Sequence, residues 1–237
     1  MVEEWSLAVI VGTGAAAADG KRMVVPTRFG AAGLASGSLG GVPVLFIARH
    51  GPGHRVPPHR IRYAAFAAAL ARLGCPRCVA TAAVGSLRED WKPGTLVVPD
   101  DLLDLSGRGL TVHPEGIVHT DFTAPFGLGL RGKLLAAAPP ARVLDGGTYV
   151  NVDGPRFETP GEIAMMRELG GDVVGMTAGS EAIVMREAGI AYAVVCVVTN
   201  LAAGLSETRV SHGDVYRAAK KPVKEIMGIF ERLAASL

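Results

Sequence analysis

The chain has 237 residues, 49% of them hydrophobic, with 31 glycines and only 5% aromatics. That composition suits one α/β domain spanning 1–237, with a sizeable core and many tight turns, and no linker or charge block divides it. Three cysteines, an odd number, argue against a disulfide scaffold and fit a reducing compartment. The net charge of +2 is unevenly spread: no acid lies between Asp19 and Glu89, where one lysine and nine arginines fall. An anion-binding half is expected there. These charges lack interleaved aromatics, which argues against nucleic acid as a partner. No basic-then-apolar leader and no apolar run of membrane-span length occurs, so a soluble cytoplasmic protein without a membrane partner is expected.

In chain order, Leu7 to Val11 predicts a buried strand running into Gly12-Thr13-Gly14. Such a glycine turn forms a nest of N–H groups for an anion, with the Thr13 hydroxyl as an added donor. The same letters begin a dinucleotide fingerprint, and a short helix through Ala15–Ala18 would extend it. The acid expected about 20 residues further on is absent. Val44 to Ala48 predicts a second buried strand that delivers Arg49 and His50 to its C-terminal end, where open α/β sheets bind ligands. Arg49 offers a planar fork that matches phosphate oxygens. His50, His54 and His59 invite a metal reading. The intervening prolines deny them one helix face, and no Cys or acid joins them.

His59 to Leu73 reads as helix. Cys75 and Cys78 then stand after a helix and before a strand, the wrong side for an activated redox pair. They read as incidental thiols. Val79 to Val84 predicts a strand ending in the small-residue turn Gly85-Ser86, and Thr95 to Pro99 a short one. His113 to Phe126 reads as a polar loop carrying His119 and Asp121, followed by helix over Phe126–Ala138. Tyr149, Val150 and Val152 form a β-rich run that stops at Asp153-Gly154-Pro155. A helix start follows, with Thr159 as N-cap, Pro160 at the first helical position and Glu162 completing a capping box. Phe157 and Glu158 are thus held in a short strand-to-helix corner. An aromatic face beside a carboxylate suits a flat heterocycle with N–H groups on its edge; a core Phe and a solvated Glu is the alternative. Asp172 to Gly175 predicts a strand ending at Met176-Thr177, with helix from about Ser180 to Ala188. Tyr192 to Val198 is the most β-rich run and ends at Asn200, whose amide offers both donor and acceptor. Ser211 and Asp214 form a second candidate cap, which puts His212 in the first turn of a C-terminal helix that Pro222 is expected to bend.

Taken together, GTG at 12–14, RHG at 49–51, AVGSL at 83–87, GPRFET at 154–159, GMT at 175–177 and TN at 199–200 resemble one family, in order along nearly the whole chain. It is the trimeric purine nucleoside and methylthioadenosine phosphorylases. The resemblance implies a single α/β domain with a mixed, barrel-like central sheet flanked by helices, assembled as a homotrimer. It also implies phosphorolysis of a purine nucleoside to free base and ribose 1-phosphate, with no metal or organic cofactor. Carried over onto this chain, the phosphate positions are Thr13, Arg49, His50, Ala83 and Thr177. Ala82 lies where methylthioadenosine phosphorylases have a phosphate-touching threonine. Met176 matches the residue against the ribose and Phe157 the one that packs on the base. Ala178-Gly179-Ser180 departs from the usual Thr-Val-Pro before the glutamate matched by Glu181, and a packing effect is expected there.

Methylthioadenosine phosphorylases carry Asp-x-Asp where this chain has Asn200-Leu201-Ala202. The Asn200 amide donates toward O6 and N7 of a 6-oxopurine, and ionised Glu158 accepts from N1–H, which adenine lacks. This pair implies inosine and guanosine as substrates, with Asn200 and His50 as catalytic groups. His212, bordered by His54 and by His119 from across a subunit interface, falls where purine nucleoside phosphorylases face the 5′-hydroxyl. The alternatives are a methylthioinosine phosphorylase with an apolar 5′ pocket, a dinucleotide-binding oxidoreductase, and a purine-binding module without turnover.

Overall fold

In the computed structural model, residues 5–13, 20–206 and 211–237 are described, except for the side chain of His212. The short helix expected over Ala15–Ala18 lies outside these residues. The described strands form one mixed eleven-stranded sheet. Its spine is four parallel strands, β4 (Val42–Ala48), β1 (Ala8–Val11), β5 (Arg77–Ser86) and β11 (Ala191–Leu201). An antiparallel ribbon of β2 (Arg22–Val25) and β3 (Ala32–Leu39) extends the β4 edge. Beyond β11 lie β6 (Leu96–Val98) and β8 (Val143–Asp145). The far end of β5 also pairs with β10 (Val173–Gly175), which continues to β9 (Thr148–Asn151) and β7 (Asp101–Asp104).

The spine strands are unbroken apolar runs because both of their faces are covered. Along β11, Tyr192, Val194, Cys196 and Val198 enter one core, while Ala193, Val195 and Val197 enter another. That is the two-residue period of a strand. The first core lies beneath α1 (Tyr63–Arg72) and α4 (Ala178–Glu187). The second lies beneath α2 (Leu128–Ala137) and α5 (His212–Ala235), which presents Ala219, Val223, Ile226, Phe230 and Leu233 at helical spacing. A third cluster joins Val150, Val174 and Leu87 to Ile163 and Met166 of α3 (Pro160–Glu168).

Several boundaries differ from the sequence expectations. The helix expected from His59 begins at Tyr63, because Pro58–Arg60 forms a separate single turn and Ile61 is extended. The C-terminal helix begins at His212, as its cap predicts, and contains Pro222 in its interior. Arg28, Arg72 and Arg77 of the acid-free half donate to the backbone carbonyls of Val112, Pro26 and Ser6, while Arg22, Arg49, Arg60 and Arg62 line one cavity beside β2, β3 and β4. The packing effect expected at Ala178-Gly179-Ser180 has a visible cause: a Cβ on Gly179 would lie 2.5 Å from Asn151 Cβ and 2.7 Å from Leu102 Cδ1. Cys75, Cys78 and Cys196 are buried and unpaired, and burial pushes the Cys75 thiol up to about 11. A thiol so protonated is a poor nucleophile.

Candidate active site

A cavity of about 520 Å³ opens beyond the C-terminal ends of β1, β4, β5 and β11, the expected place for a ligand in parallel sheets. Its buried end is walled by Thr13 after β1, Arg49 and His50 after β4, Ala83 on β5, and Thr177 at the head of α4. Arg49 is 2% exposed. Its Nε and Nη2 donate to the two Glu181 carboxylate oxygens at 2.6 and 2.9 Å, and Nη1 donates to the Thr81 carbonyl at 2.7 Å. The Tyr192 hydroxyl donates to the same carboxylate at 2.6 Å. Burial opposes the charge on Arg49, but Glu181 outweighs it and holds the guanidinium above its ordinary pKa. The remaining N–H groups on Nη1 and Nη2 are left for a ligand. Gly12 makes this placement possible, since a Cβ there would sit 2.1 Å from Arg49 Nη1.

His50 Nδ1 lies 2.9 Å from the Val56 carbonyl, and its ring meets that of His54 at a tilt of 37° with centroids 4.1 Å apart. A carbonyl only accepts, so Nδ1 carries the hydrogen, and Nε2 donates only when the ring is protonated. Thr177 heads α4, but its side chain makes no capping bond. Donors from a guanidinium and two hydroxyls, joined by His50 Nε2 when that ring is protonated, make this part of the cavity suited to a small anion.

The other end holds Phe157, Glu158, Val174, Asn200 and Ala202. The corner that carries Phe157 and Glu158 is fixed as its sequence indicates. Thr159 Oγ1 accepts from Glu162 N–H at 3.2 Å, and Thr159 N–H donates to Glu162 Oε2 at 2.7 Å. Arg156 donates to both Glu162 oxygens, holding that carboxyl down to about 2. With Arg156 so occupied, burial dominates at Glu158 and raises its pKa above the usual value. Phe157 is 40% exposed at the cavity mouth.

Asn200 is aimed by a β-bulge. The β11–β5 register slips between Val198 and Asn200, so Thr199 and Asn200 both face the cavity. Gly85 opposite leaves room, since a Cβ there would be 3.3 Å from Asn200 Nδ2. One Nδ2 hydrogen goes to the Leu201 carbonyl at 2.9 Å, and Oδ1 lies 2.9 Å from the Thr199 hydroxyl. One amide N–H is therefore left for a ligand.

The cavity thus gathers Thr13, Arg49, His50, His54, Ala83, Phe157, Glu158, Met176, Thr177, Asn200 and Ala202. Three expected residues stand elsewhere. Ala82 is buried in the core with Ala80 and Val84, because strand alternation turns it away from Ala83. Leu201 contributes its carbonyl to Asn200 while its side chain leaves the wall. His119 is exposed on the loop before α2 and does not line the cavity of its own chain. The His212 side chain lies outside the described residues; Val215, one turn further along α5, lines the cavity. No three His, Cys, Asp or Glu side chains among the described residues gather to hold a metal ion. No described helix is long and apolar enough to cross a membrane.

Sequence reasoning missed the role of Glu181 as the buried counter-ion. The signal was present: an arginine at a buried strand end needs a carboxylate, and the acid-free half cannot supply one.

Residues 6–235 match the Phosphorylase superfamily, and the chain belongs to it. A protein of Pyrococcus furiosus named 6-oxopurine nucleoside phosphorylase is 39% identical over 93% of this chain and 89% of its own length. A probable S-methyl-5′-thioinosine phosphorylase of Methanopyrus kandleri is 41% identical over 90% of this chain and 84% of its own. Among solved structures, the methylthioadenosine phosphorylase of Schistosoma mansoni in complex with adenine superposes with a TM-score of 0.89 at 30% identity. That match covers 98% of this chain and 92% of the other.

Proposed function

We propose that the chain cleaves 6-oxopurine nucleosides, inosine and guanosine, with inorganic phosphate to give free base and ribose 1-phosphate. One observation carries this reading: a single cavity has the Glu181-paired Arg49 at its buried end and the Asn200 amide with half-buried Glu158 at the other. In this reading Arg49, His50, Thr13 and Thr177 hold phosphate. Met176 lies against the ribose and Phe157 packs on the base. As the glycosidic bond lengthens, the sugar becomes cation-like and the purine gathers negative charge. Bound phosphate stabilises the first and attacks the anomeric carbon. The free Asn200 N–H stabilises the second at the N7/O6 edge, while Glu158 accepts from N1–H. This is placed charge and positioning, and the residues present supply it without a cofactor. The test is formation of hypoxanthine and ribose 1-phosphate from inosine in equal amounts, and only when phosphate is added; inosine left intact with phosphate present would overturn it.

A second reading, S-methyl-5′-thioinosine as substrate, shares the base contacts. It is favoured by Val215, an apolar side chain in the cavity wall where α5 begins. Assembly as a homotrimer in the cytoplasm belongs to the same proposal. Its support is the exposed mouth residue Phe157 and the loop carrying His119, where Ile117 is 88% exposed. A neighbouring copy would cover both.

Two outcomes follow. Gly12→Ala pushes a methyl into the Arg49 guanidinium, so the KM for phosphate is expected to rise by about tenfold, ~1.4 kcal/mol, with a smaller change for inosine. The pH profile has a fixed sign. Glu158 must be ionised to accept from N1–H, and burial raises its pKa above the ordinary 4.5. The kcat/KM for inosine should therefore fall on the acid side at a pH above 4.5, and Glu158→Gln should remove that limb. A limb that survives in Glu158→Gln would assign it to another group.

A further inference from the structure

Arg108, in the loop after β7, does not line the cavity, yet its side chain is only 10% exposed. Its Nε donates to Asp153 Oδ1 at 2.5 Å, and Nη2 donates to the Asp153 carbonyl at 2.7 Å and the Met176 carbonyl at 3.2 Å. Nη1 donates to Ser180 Oγ at 2.6 Å. The guanidinium also lies over the Tyr63 ring, 5.2 Å from its centroid, and the Tyr63 hydroxyl reaches the Pro58 carbonyl at 3.0 Å and the Met176 carbonyl at 3.3 Å.

These partners belong to separate parts of the cavity wall. Asp153 begins the segment that carries Pro155, Phe157 and Glu158. Met176 and Pro58 also line the cavity. Ser180 stands in the first turn of α4, directly behind Thr177. It occupies the last position of the Ala178-Gly179-Ser180 departure, and its hydroxyl is what gives Arg108 a hold on that helix. Asn151 Nδ2 reaches the same oxygen at 3.2 Å from the end of β9.

We propose that Arg108 is a positioning residue for the nucleoside, clamping the 153–158 segment and the Met176 wall to the head of α4. This rests on the phosphorolysis reading. The cavity then has two anchors, which meet at the neighbouring residues Ser180 and Glu181 of α4. Arg49, Glu181 and Tyr192 fix its anion end, and Arg108, Asp153 and Ser180 fix its nucleoside end, with no hydrogen bond among the described residues joining the two sets of side chains. A planar fork with four bonds is not replaced by an ammonium, so lysine should substitute poorly.

The test compares wild type with Arg108→Lys, Arg108→Ala and Ser180→Ala, measuring kcat, the KM for inosine, the KM for phosphate, Tm and amide exchange over 152–159. The expected result is a KM for inosine raised about tenfold or more in both Arg108 variants and several-fold in Ser180→Ala. The KM for phosphate should stay within about twofold, and amide exchange over 152–159 should quicken. A lowered Tm with both KM values unchanged would overturn the proposal, as would equal rises in both. If wild type shows no phosphate-dependent cleavage, the functional reading fails by itself. Amide exchange then decides the clamp: faster exchange over 152–159 supports it, and unchanged exchange overturns it.

Discussion

Replacing Glu181 with alanine is expected to destabilise the fold by about 3–5 kcal/mol and to abolish phosphate-dependent turnover. Glu181 is 1% exposed, and both its oxygens accept from Arg49. Removing it strands a buried guanidinium and leaves the Tyr192 hydroxyl without its acceptor. For a domain of this length the Tm should fall by roughly 6–20 °C, read by thermal unfolding. The double variant Arg49→Met with Glu181→Leu separates the two effects, because an apolar pair of similar volume is tolerated where a lone charge is not. It should recover most of the lost stability and none of the turnover. A stable, active Glu181→Ala protein would remove the ion pair from both roles.

The second large effect is at Asn200. Asn200→Asp replaces the N–H donor at the N7/O6 edge with an acceptor, so O6 of hypoxanthine would face a carboxylate. The kcat/KM for inosine should drop by ~10³-fold or more, as expected when a buried hydrogen-bonding site meets the wrong partner. Adenosine, whose 6-amino group donates, should gain. The gain should increase as pH falls through the raised pKa of Glu158, because protonated Glu158 can donate to adenine N1. The ratio of the two kcat/KM values across pH measures this. An unchanged ratio would take Asn200 out of base selection.

Much of this arrangement is written locally in the chain. The spine strands β1 and β11 are legible because two covered faces demand unbroken apolar runs, and the Thr159–Glu162 box is legible because both partners lie within one turn. The ribbon of β2 and β3 is not. Ala32–Leu39 is small and partly exposed, and it is a strand because β4 pairs with it. One local signal was there: Gly40 and Gly41, at φ of 55° and 86°, form the two-residue turn that joins β3 to β4. The cavity residues were legible wherever a strand ends in a glycine or small-residue turn. What holds them was not. Glu181 meets Arg49 across 132 residues, and Arg108 meets Ser180 across 72, so only the folded sheet brings them together. The bulge at Thr199 is likewise a property of pairing with β5, and no pattern within β11 marks it.

The most direct measurement is free-base release from inosine, S-methyl-5′-thioinosine and adenosine, each with and without phosphate. Phosphate-dependent release led by inosine, with adenosine lowest, is the expected result. Release led by adenosine, or release that ignores phosphate, would contradict the roles given to Glu158, Asn200 and Arg49.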